Sequence, residues 1–138
     1  MTSLTTRLKH FEEPVYAVLR AAAGLMFSLH GMQKLFGVLG SHGMPEAGSQ
    51  LWFGGLIELG CGLLIALGLV TRPAAFLASG TMAVAYFQFH WKLKMAENMW
   101  APVVNQGELA AVYCFLFLFF FVRGAGPYSL DAKLRGVR

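Results

Sequence analysis

The chain has 138 residues, of which 57% are hydrophobic and only 13% are charged, and its formal net charge is +4. This length leaves room for one domain, and the apolar share exceeds that of ordinary soluble domains. The basic residues are dispersed and form no stripe with aromatic side chains, which argues against a nucleic-acid partner. We expect them to meet membrane lipid head groups instead.

Four apolar runs follow one another along the chain, each about 20 residues long, the length that a helix needs to cross the hydrocarbon core of a bilayer. A spanning helix satisfies its own backbone hydrogen bonds in that core. The runs predict transmembrane helices at 15–36, 51–70, 74–91 and 103–122, with a tail at 123–138. The predicted fold class is therefore all-α: one domain over residues 1–138, forming an integral membrane, antiparallel four-helix bundle.

An even number of spans places both termini on one side of the membrane, and the basic residues favour that side. It holds Arg7, Lys9, Arg72, Arg123, Lys133, Arg135 and Arg138, whereas the other side holds Lys92, Lys94 and, at its edge, Lys34. Positively charged loops stay preferentially in the cytoplasm. The sequence therefore predicts cytoplasmic N and C termini.

The first span contains three basic residues, Arg20, His30 and Lys34. At about 100° per residue they fall within an arc of roughly 80°, which is one face of a helix. An ionisable side chain inside a span costs about 2.5 to 3.5 kcal/mol, so such groups normally face the interior of a bundle. We expect this face to point inward.

The second span contains a single acid, Glu58, with Gly54 and Gly62 one turn away on either side. Small residues at this spacing let a neighbouring helix approach closely. Glu58 is therefore expected to be buried between helices. Cys61 lies in the same span and Cys114 in the fourth; both are interpreted as small hydrophobic residues, with a redox pair as the alternative.

The link to the third span is Thr71-Arg72-Pro73, a tight turn in which Pro73 can open the next helix and Arg72 is expected to have a structural role. Small and polar residues then recur along one face of that helix, namely Ser79, Ala83, Tyr86 and His90. Their spacing is helical. The third span is therefore predicted to turn a polar stripe toward its neighbours.

The fourth span carries Glu108 near its outer end and the aromatic run FLFLFFFV, which we expect to face lipid. In the tail, Ser129 is predicted to cap a short helix that begins near Leu130. An arginine inside the membrane needs an acid, and Asp131, the one acid at that end beyond Glu12 and Glu13, is the candidate partner of Arg20.

Counted from the helix ends, several ionisable groups lie at one depth in the outer half of the predicted bundle. His30 lies about six residues from the outer end of the first span, and Glu58 about seven from that of the second. The converging set is His30, Lys34, Glu58, His90 and Glu108. An imidazole beside a carboxylate can transfer protons near neutral pH, so His30 and Glu58 are the candidate catalytic residues. The same contacts could instead fix helix register.

The ordered motifs RAAAGLMFSLHGMQKLFG, GGLIELGCGLLIALGLVTRPAA, a late His90 and GAGPYSLDAKL cover nearly the whole chain. In this order they resemble the DoxX family of small bacterial and archaeal membrane proteins. The resemblance implies a four-helix bundle in a plasma or inner membrane. It also implies a link to thiosulfate:quinone oxidoreductase or to membrane thiol-redox complexes, of which some relatives are subunits.

Our leading hypothesis is a redox-linked subunit that binds quinone or quinol near His30 and Glu58, which could relay the two protons of the reaction. The remaining candidate binding residues are Lys34, Phe27, Trp52, Tyr86, His90 and Glu108. The chain shows no electron carrier of its own, so a soluble or membrane partner would supply electrons.

Two alternatives remain open from the sequence. His30, His90, Glu58 and Glu108 are ligand types that suit a divalent metal, and the two histidines could ligate haem. A non-catalytic transporter or scaffold, acting as a homo-oligomer, is the other reading.

Overall fold

The computed structural model describes residues 4–41 and 43–136, so Arg138 of the predicted basic tail lies outside the described residues. All regular secondary structure in this part of the chain is helical. The α-helices are α1 (Leu4–Lys9), α2 (Glu12–Phe36), α3 (Gln50–Leu67), α4 (Thr71–Ala85), α5 (Pro102–Asn105), α6 (Glu108–Arg123) and α7 (Leu130–Leu134). A π-helical segment, Tyr86–Trp91, continues α4, and a 3-10 turn, Ala96–Asn98, follows it.

The four long helices, α2, α3, α4 and α6, fall on the four predicted spans. Helix α2 packs against α3, α3 against α4, and α4 against α6. Two of the helices, Glu12–Phe36 and Gln50–Leu67, are long and apolar enough to cross a membrane by length and composition. Many large apolar side chains stay exposed on the outer faces, including Val18, Leu25, Leu63, Phe76 and Phe115. Contiguous apolar surface of this kind suits contact with lipid.

Glycines set the distance between α2 and α3. A Cβ placed on Gly24 would lie 2.5 Å from the carbonyl oxygen of Gly62, and one placed on Gly62 would lie 2.7 Å from that of Gly24. The prediction that Gly62 admits a neighbouring helix is confirmed. The same prediction for Gly54 is wrong, because nothing lies within 4 Å of a Cβ there. The buried glycine at that end is Gly55, against Lys34.

Several helix ends differ from the predicted spans. Helix α2 begins at Glu12 and not at residue 15, and α4 begins at Thr71 and not at residue 74, so the predicted turn Thr71-Arg72-Pro73 belongs to the helix. Helix α3 stops at Leu67 and not at residue 70, because Gly68 adopts a left-handed conformation with φ of 68° and its N–H returns to the Ile65 carbonyl. Helix α6 begins at Glu108 and not at residue 103, because the short α5 ends at Gln106, whose φ is 60°. The connection between the π-helical segment and α6 is therefore longer than the apolar run indicates.

The contact between α4 and α6 is aromatic and polar. Phe117 and Phe120 are fully buried, so the expectation that the whole FLFLFFFV run faces lipid is wrong for these two residues. The Ser79 hydroxyl donates to the Cys114 carbonyl at 2.8 Å, which ties the two helices together. Cys61 and Cys114 are free thiols.

The tail folds back onto the turn between α3 and α4. As predicted, Ser129 caps α7, since its hydroxyl oxygen accepts the Ala132 N–H at 3.1 Å. The Asp131 N–H donates to the Gly68 carbonyl at 2.9 Å. The tail helix therefore closes the end of the molecule where α3 ends and α4 begins.

Candidate functional site

A cavity of about 230 Å³ lies between α2, α3, the end of α4 and the start of α6. Its polar and ionisable lining comprises His30, Lys34, Glu58, His90, Gln106 and Tyr113. Apolar residues complete the wall, among them Phe27, Met82 and Leu109. The structure thus places His30, Lys34, Glu58 and His90 around one cavity.

The centre of this cavity is an ion pair between α2 and α3. Lys34 Nζ lies 2.5 Å from Glu58 Oε1, and the Glu58 side chain is 3% exposed while that of Lys34 is 34% exposed. The acid is therefore buried as predicted, and the lysine stem reaches from the outer end of α2 to place its charge on it. A charge-assisted contact of this length is among the stronger hydrogen bonds in proteins.

Two polar atoms in the cavity wall have no partner among the described residues. Glu58 Oε2 and the Tyr113 hydroxyl are both buried and accept or donate no hydrogen bond there. A buried polar group without a partner costs about 1–3 kcal/mol. The cavity therefore holds one unused acceptor on α3 and one unused donor on α6, which are the groups that a polar ligand could satisfy.

The two histidines stand on opposite sides of the cavity. The half-buried His30 ring meets the Tyr113 ring edge to face, with centroids 6.4 Å apart. His90 lies on the π-helical segment, and its Nδ1 is 3.3 Å from the Asn105 carbonyl oxygen. A π-helical turn shifts the register of the residues that follow it and is frequent at functional sites. Here it brings His90 toward the cavity.

Phe27 joins the cavity wall to the core, as expected for an aromatic wall. It is 1% exposed, and its ring contacts Phe117 at 4.7 Å and Tyr113 at 5.4 Å between centroids. Tyr113 in turn stacks on Phe117 with an interplanar angle of 16°. These contacts fix the ring of Tyr113 and so limit where its hydroxyl can lie.

Three predicted binding residues lie outside the cavity lining. Glu108 is exposed and lines a neighbouring depression that shares Gln106 and Leu109 with the cavity, so it does not join the other ionisable groups in the cavity lining. It sits at the first residue of α6, and the helix direction turns it outward. Trp52 packs edge to face on Phe53 at 5.3 Å.

Tyr86, the third of these residues, is the first residue of the π-helical segment and contacts the loop that follows this segment. Its hydroxyl donates to the Trp100 carbonyl at 2.7 Å and accepts from Asn105 Nδ2 at 3.2 Å. Asn105 also donates to the Met99 carbonyl and accepts the Gly107 N–H, both at 2.8 Å. This network holds α5 and the start of α6 over the cavity.

Sequence reasoning missed Tyr113 and Gln106. Tyr113 is the one hydroxyl-bearing residue in the apolar run AVYCFLFLFFFV, and that isolation was the available signal. The sequence around Gln106 did not indicate a site residue. Gln106 lines the cavity because of the left-handed turn that it forms at the end of α5, and this turn was not predicted.

Arg20, predicted to be structural, clamps the opposite end of the molecule. It is 2% exposed and donates to the carbonyls of Ile65, Ala66 (2.8 Å) and Tyr128 (2.8 Å). The predicted ion pair between Arg20 and Asp131 does not form among the described contacts. The C-terminal carbonyls of α3 are unpaired within the helix and carry partial negative charge, so they supply acceptors in place of an acid.

Asp131 caps the start of the next helix instead. Its carboxylate accepts the N–H groups of Val70 at 2.9 Å and Thr71 at 3.0 Å. Burial alone would raise the pKa of this carboxyl, but the hydrogen bonds from Thr71 and Val70, with the charge of Arg135, outweigh it and lower the pKa below 3.8. Arg72 similarly caps α6, donating to the Val122 carbonyl at 3.0 Å.

The donor set gives no support to the metal interpretation. Within residues 4–41 and 43–136, no three His, Cys, Asp or Glu side chains come close enough to hold a metal ion. The candidate ligands His30, His90, Glu58 and Glu108 therefore do not form such a group.

These features define a class: an all-helical membrane protein with a buried ion pair in a small cavity between its helices. The profile of the DoxX family matches residues 15–91, which is more than half of the chain. The chain belongs to the DoxX family, and the resemblance carried by its motifs is confirmed.

Two relatives match over almost their whole length. An uncharacterised protein of Haemophilus influenzae is 40% identical over 129 residues, covering 91% of this chain and 95% of the relative. The inner membrane protein YqjF of Escherichia coli is 28% identical over 131 residues, covering 92% of this chain and 97% of the relative. No solved structure matches the chain.

Proposed function

We propose that this protein is a redox-linked membrane subunit that binds quinone or quinol in the cavity between Lys34, Glu58 and Tyr113. The observation that carries the proposal is the pair of unpartnered buried groups: Glu58 Oε2, an acceptor, and the Tyr113 hydroxyl, a donor. A quinol donates hydrogen bonds through its hydroxyls, and a quinone accepts them at its carbonyls. One site that offers both kinds of partner suits both forms of the ligand.

The ion pair supports proton exchange at this position. Reduction of a quinone to a quinol takes up two electrons and two protons, and oxidation releases them. Glu58 and His30 are the proton carriers in this proposal, and the Lys34 ammonium, 2.5 Å from Glu58, keeps the carboxylate available as an acceptor. The electrons come from a soluble or membrane partner, as in a thiosulfate or thiol oxidoreductase system, because the chain carries no redox group of its own.

The membrane arrangement that goes with this site has four spans, formed by α2, α3, α4 with its π-helical segment, and α6. Both termini then lie in the cytoplasm, with Arg72, Arg123 and Arg135 on that side. The cavity opens in the outer half of the bundle. A C-terminal green fluorescent protein fusion should fluoresce and an alkaline phosphatase fusion at the same place should be inactive; the reverse result would overturn this orientation.

The quinone proposal is tested on the full chain purified gently from membranes, with quinone measured in the lipid extract. The wild type should carry quinone, and His30→Ala, Glu58→Gln and Tyr113→Phe should each carry much less. Glu108→Gln is the matched control, since it also removes an acid near the outer end but lies outside the cavity.

Addition of a short-chain quinone to the purified protein covers the case in which native quinone is lost during purification. Binding that the three cavity variants reduce and Glu108→Gln does not would support the proposal. If the wild type neither retains nor rebinds quinone, or if the control loses it equally, the cavity is not a quinone site.

A further inference from the structure

A second cleft, of about 420 Å³, lies at the opposite end of the helices from the ion pair. It is bounded by the start of α4, the end of α6 and the tail. Three arginines and one acid line it, namely Arg72, Arg123, Arg135 and Asp131. The arginines come from three different elements, so the fold brings their charges together.

Two of these guanidinium groups are held in place. Arg72 Nη1 donates to the carbonyls of Phe121 at 3.1 Å and Val122 at 3.0 Å. Arg123 Nη2 lies 2.6 Å from Glu13 Oε1, and its guanidinium carbon is 4.1 Å from the centroid of the Tyr16 ring. Neutral carbonyls do not cancel the charge of Arg72. Preorganised guanidinium groups lose less entropy when they bind an oxyanion.

The acids at the cleft offset only part of its positive charge. The Asp131 carboxylate, which accepts the N–H groups of Val70 and Thr71, offsets one of the three arginine charges, and Glu13 is paired with Arg123. Arg135, one helical turn further along the tail, is exposed and adds the third positive charge. The cleft therefore keeps an excess of positive charge at a helix end, where lipid phosphates lie.

We propose that this cleft binds a phosphate group, either the headgroup of an anionic phospholipid or a free phosphate ion. Guanidinium groups match phosphate oxygens through paired N–H donors. The cleft is larger than a phosphate ion needs, which leaves space for the glycerol part of a headgroup. Occupation by a lipid would tie the tail, α4 and α6 together at the membrane surface.

The test uses the full chain in detergent, titrated with dihexanoyl phosphatidylglycerol, dihexanoyl phosphatidylcholine or inorganic phosphate, with bound ligand counted by native mass spectrometry. Arg135→Gln removes a charge from the cleft, and it keeps the backbone N–H through which residue 135 caps the end of α7. Lys133→Gln is the matched control, since it removes the same charge from the same tail helix but lies outside this cleft. Removal of one basic residue near a membrane surface is expected to lower the affinity for an anionic ligand roughly fivefold.

Binding of phosphatidylglycerol but not phosphatidylcholine, weakened about fivefold by Arg135→Gln and little by Lys133→Gln, would support a lipid headgroup site. Binding of inorganic phosphate with the same dependence, and no preference for phosphatidylglycerol, would support a free phosphate ion as the ligand. Equal weakening by both variants would mean general charge attraction and overturn the proposal. Absence of binding by all three probes would overturn it as well.

Discussion

Lys34 on α2 and Glu58 on α3 form an ion pair of 2.5 Å across the two most closely packed helices. The acid is almost wholly buried, while about a third of the lysine side chain is exposed. Because the pair bridges the helices beside their glycine contact, it is both a structural link and the polar centre of the cavity. Stability and binding measurements on the same variants can separate these two roles.

Replacement of Lys34 by Met should destabilise the protein by about 2 kcal/mol, because it leaves the buried Glu58 carboxylate without its countercharge. The double variant Lys34→Met, Glu58→Gln should recover most of that loss, since a neutral amide is cheaper to bury. The measurement is equilibrium unfolding in detergent, analysed as a double-mutant cycle. Lys94→Met, at an exposed lysine of the outer loop, is the control. Additive effects of the two substitutions would contradict the coupling.

Tyr113→Phe should leave stability unchanged or raise it slightly, because the hydroxyl that it removes is buried and has no partner among the described residues. The ring contacts to Phe27 and Phe117 remain. The same substitution should weaken quinone binding if the hydroxyl serves the ligand. A thermal unfolding midpoint that drops by several degrees would show instead that the hydroxyl makes a stabilising contact.

Gly62→Ala should destabilise the protein by about 2–3 kcal/mol, because its Cβ would meet backbone atoms of Gly24 and Ser28 at 2.7 Å. Backbone cannot rotate away as a side chain can, so α2 and α3 must separate. Gly60→Ala is the matched control on the same helix, with nothing within 4 Å of its Cβ. Unfolding midpoints in detergent should fall for Gly62→Ala and hold or rise for Gly60→Ala. Equal effects would show that the close approach does not limit packing.

The burial of Arg20 and Glu58 could be predicted from sequence, because an ionisable side chain in a membrane span is costly to expose to lipid and therefore faces the interior of the bundle. The groups with which these two side chains form hydrogen bonds could not be predicted. Arg20 binds the carbonyls at the end of α3, and those acceptors appear only once Gly68 stops the helix and the tail returns. Residue identities do not reveal which backbone carbonyls are free to accept a hydrogen bond, so the sequence suggested Asp131, an acid expected at the same end of the bundle, instead.

Helix register decided the remaining differences between prediction and structure. Gly54 and Gly55 are neighbours in sequence, but only Gly55 faces α2. Glu108 opens α6 and points away from the cavity, whereas Tyr113 on the same helix points into its wall. The depth of a residue along a span follows from counting residues. Which face of α6 points toward the cavity, however, depends on how α6 packs against α4. That contact comes from buried phenylalanines that the sequence does not distinguish from exposed ones.

The cap that Asp131 forms on α4 should make the protein less stable in acid. The pKa of this carboxyl is below 3.8 in the folded chain, because the Thr71 and Val70 N–H groups and Arg135 favour its charged form. Protonation is then harder in the folded state than in the unfolded one. The cap therefore contributes its full stability above the ordinary pKa and loses it as the pH falls through the folded value.

Asp131→Asn isolates this contribution, since the amide has one acceptor oxygen and no charge. At pH 7 the variant should be about 1 kcal/mol less stable than the wild type, as for other lost helix caps. The difference should shrink as the pH falls below the ordinary pKa of a carboxyl group, because the unfolded chain then takes up the proton first, and it should vanish below the lowered pKa of the folded chain. Unfolding midpoints in detergent from pH 7 to pH 3 measure it, with Glu46→Gln in the outer loop as an exposed control. A difference that stays constant over this range would mean that Asp131 acts through packing and not through its charge.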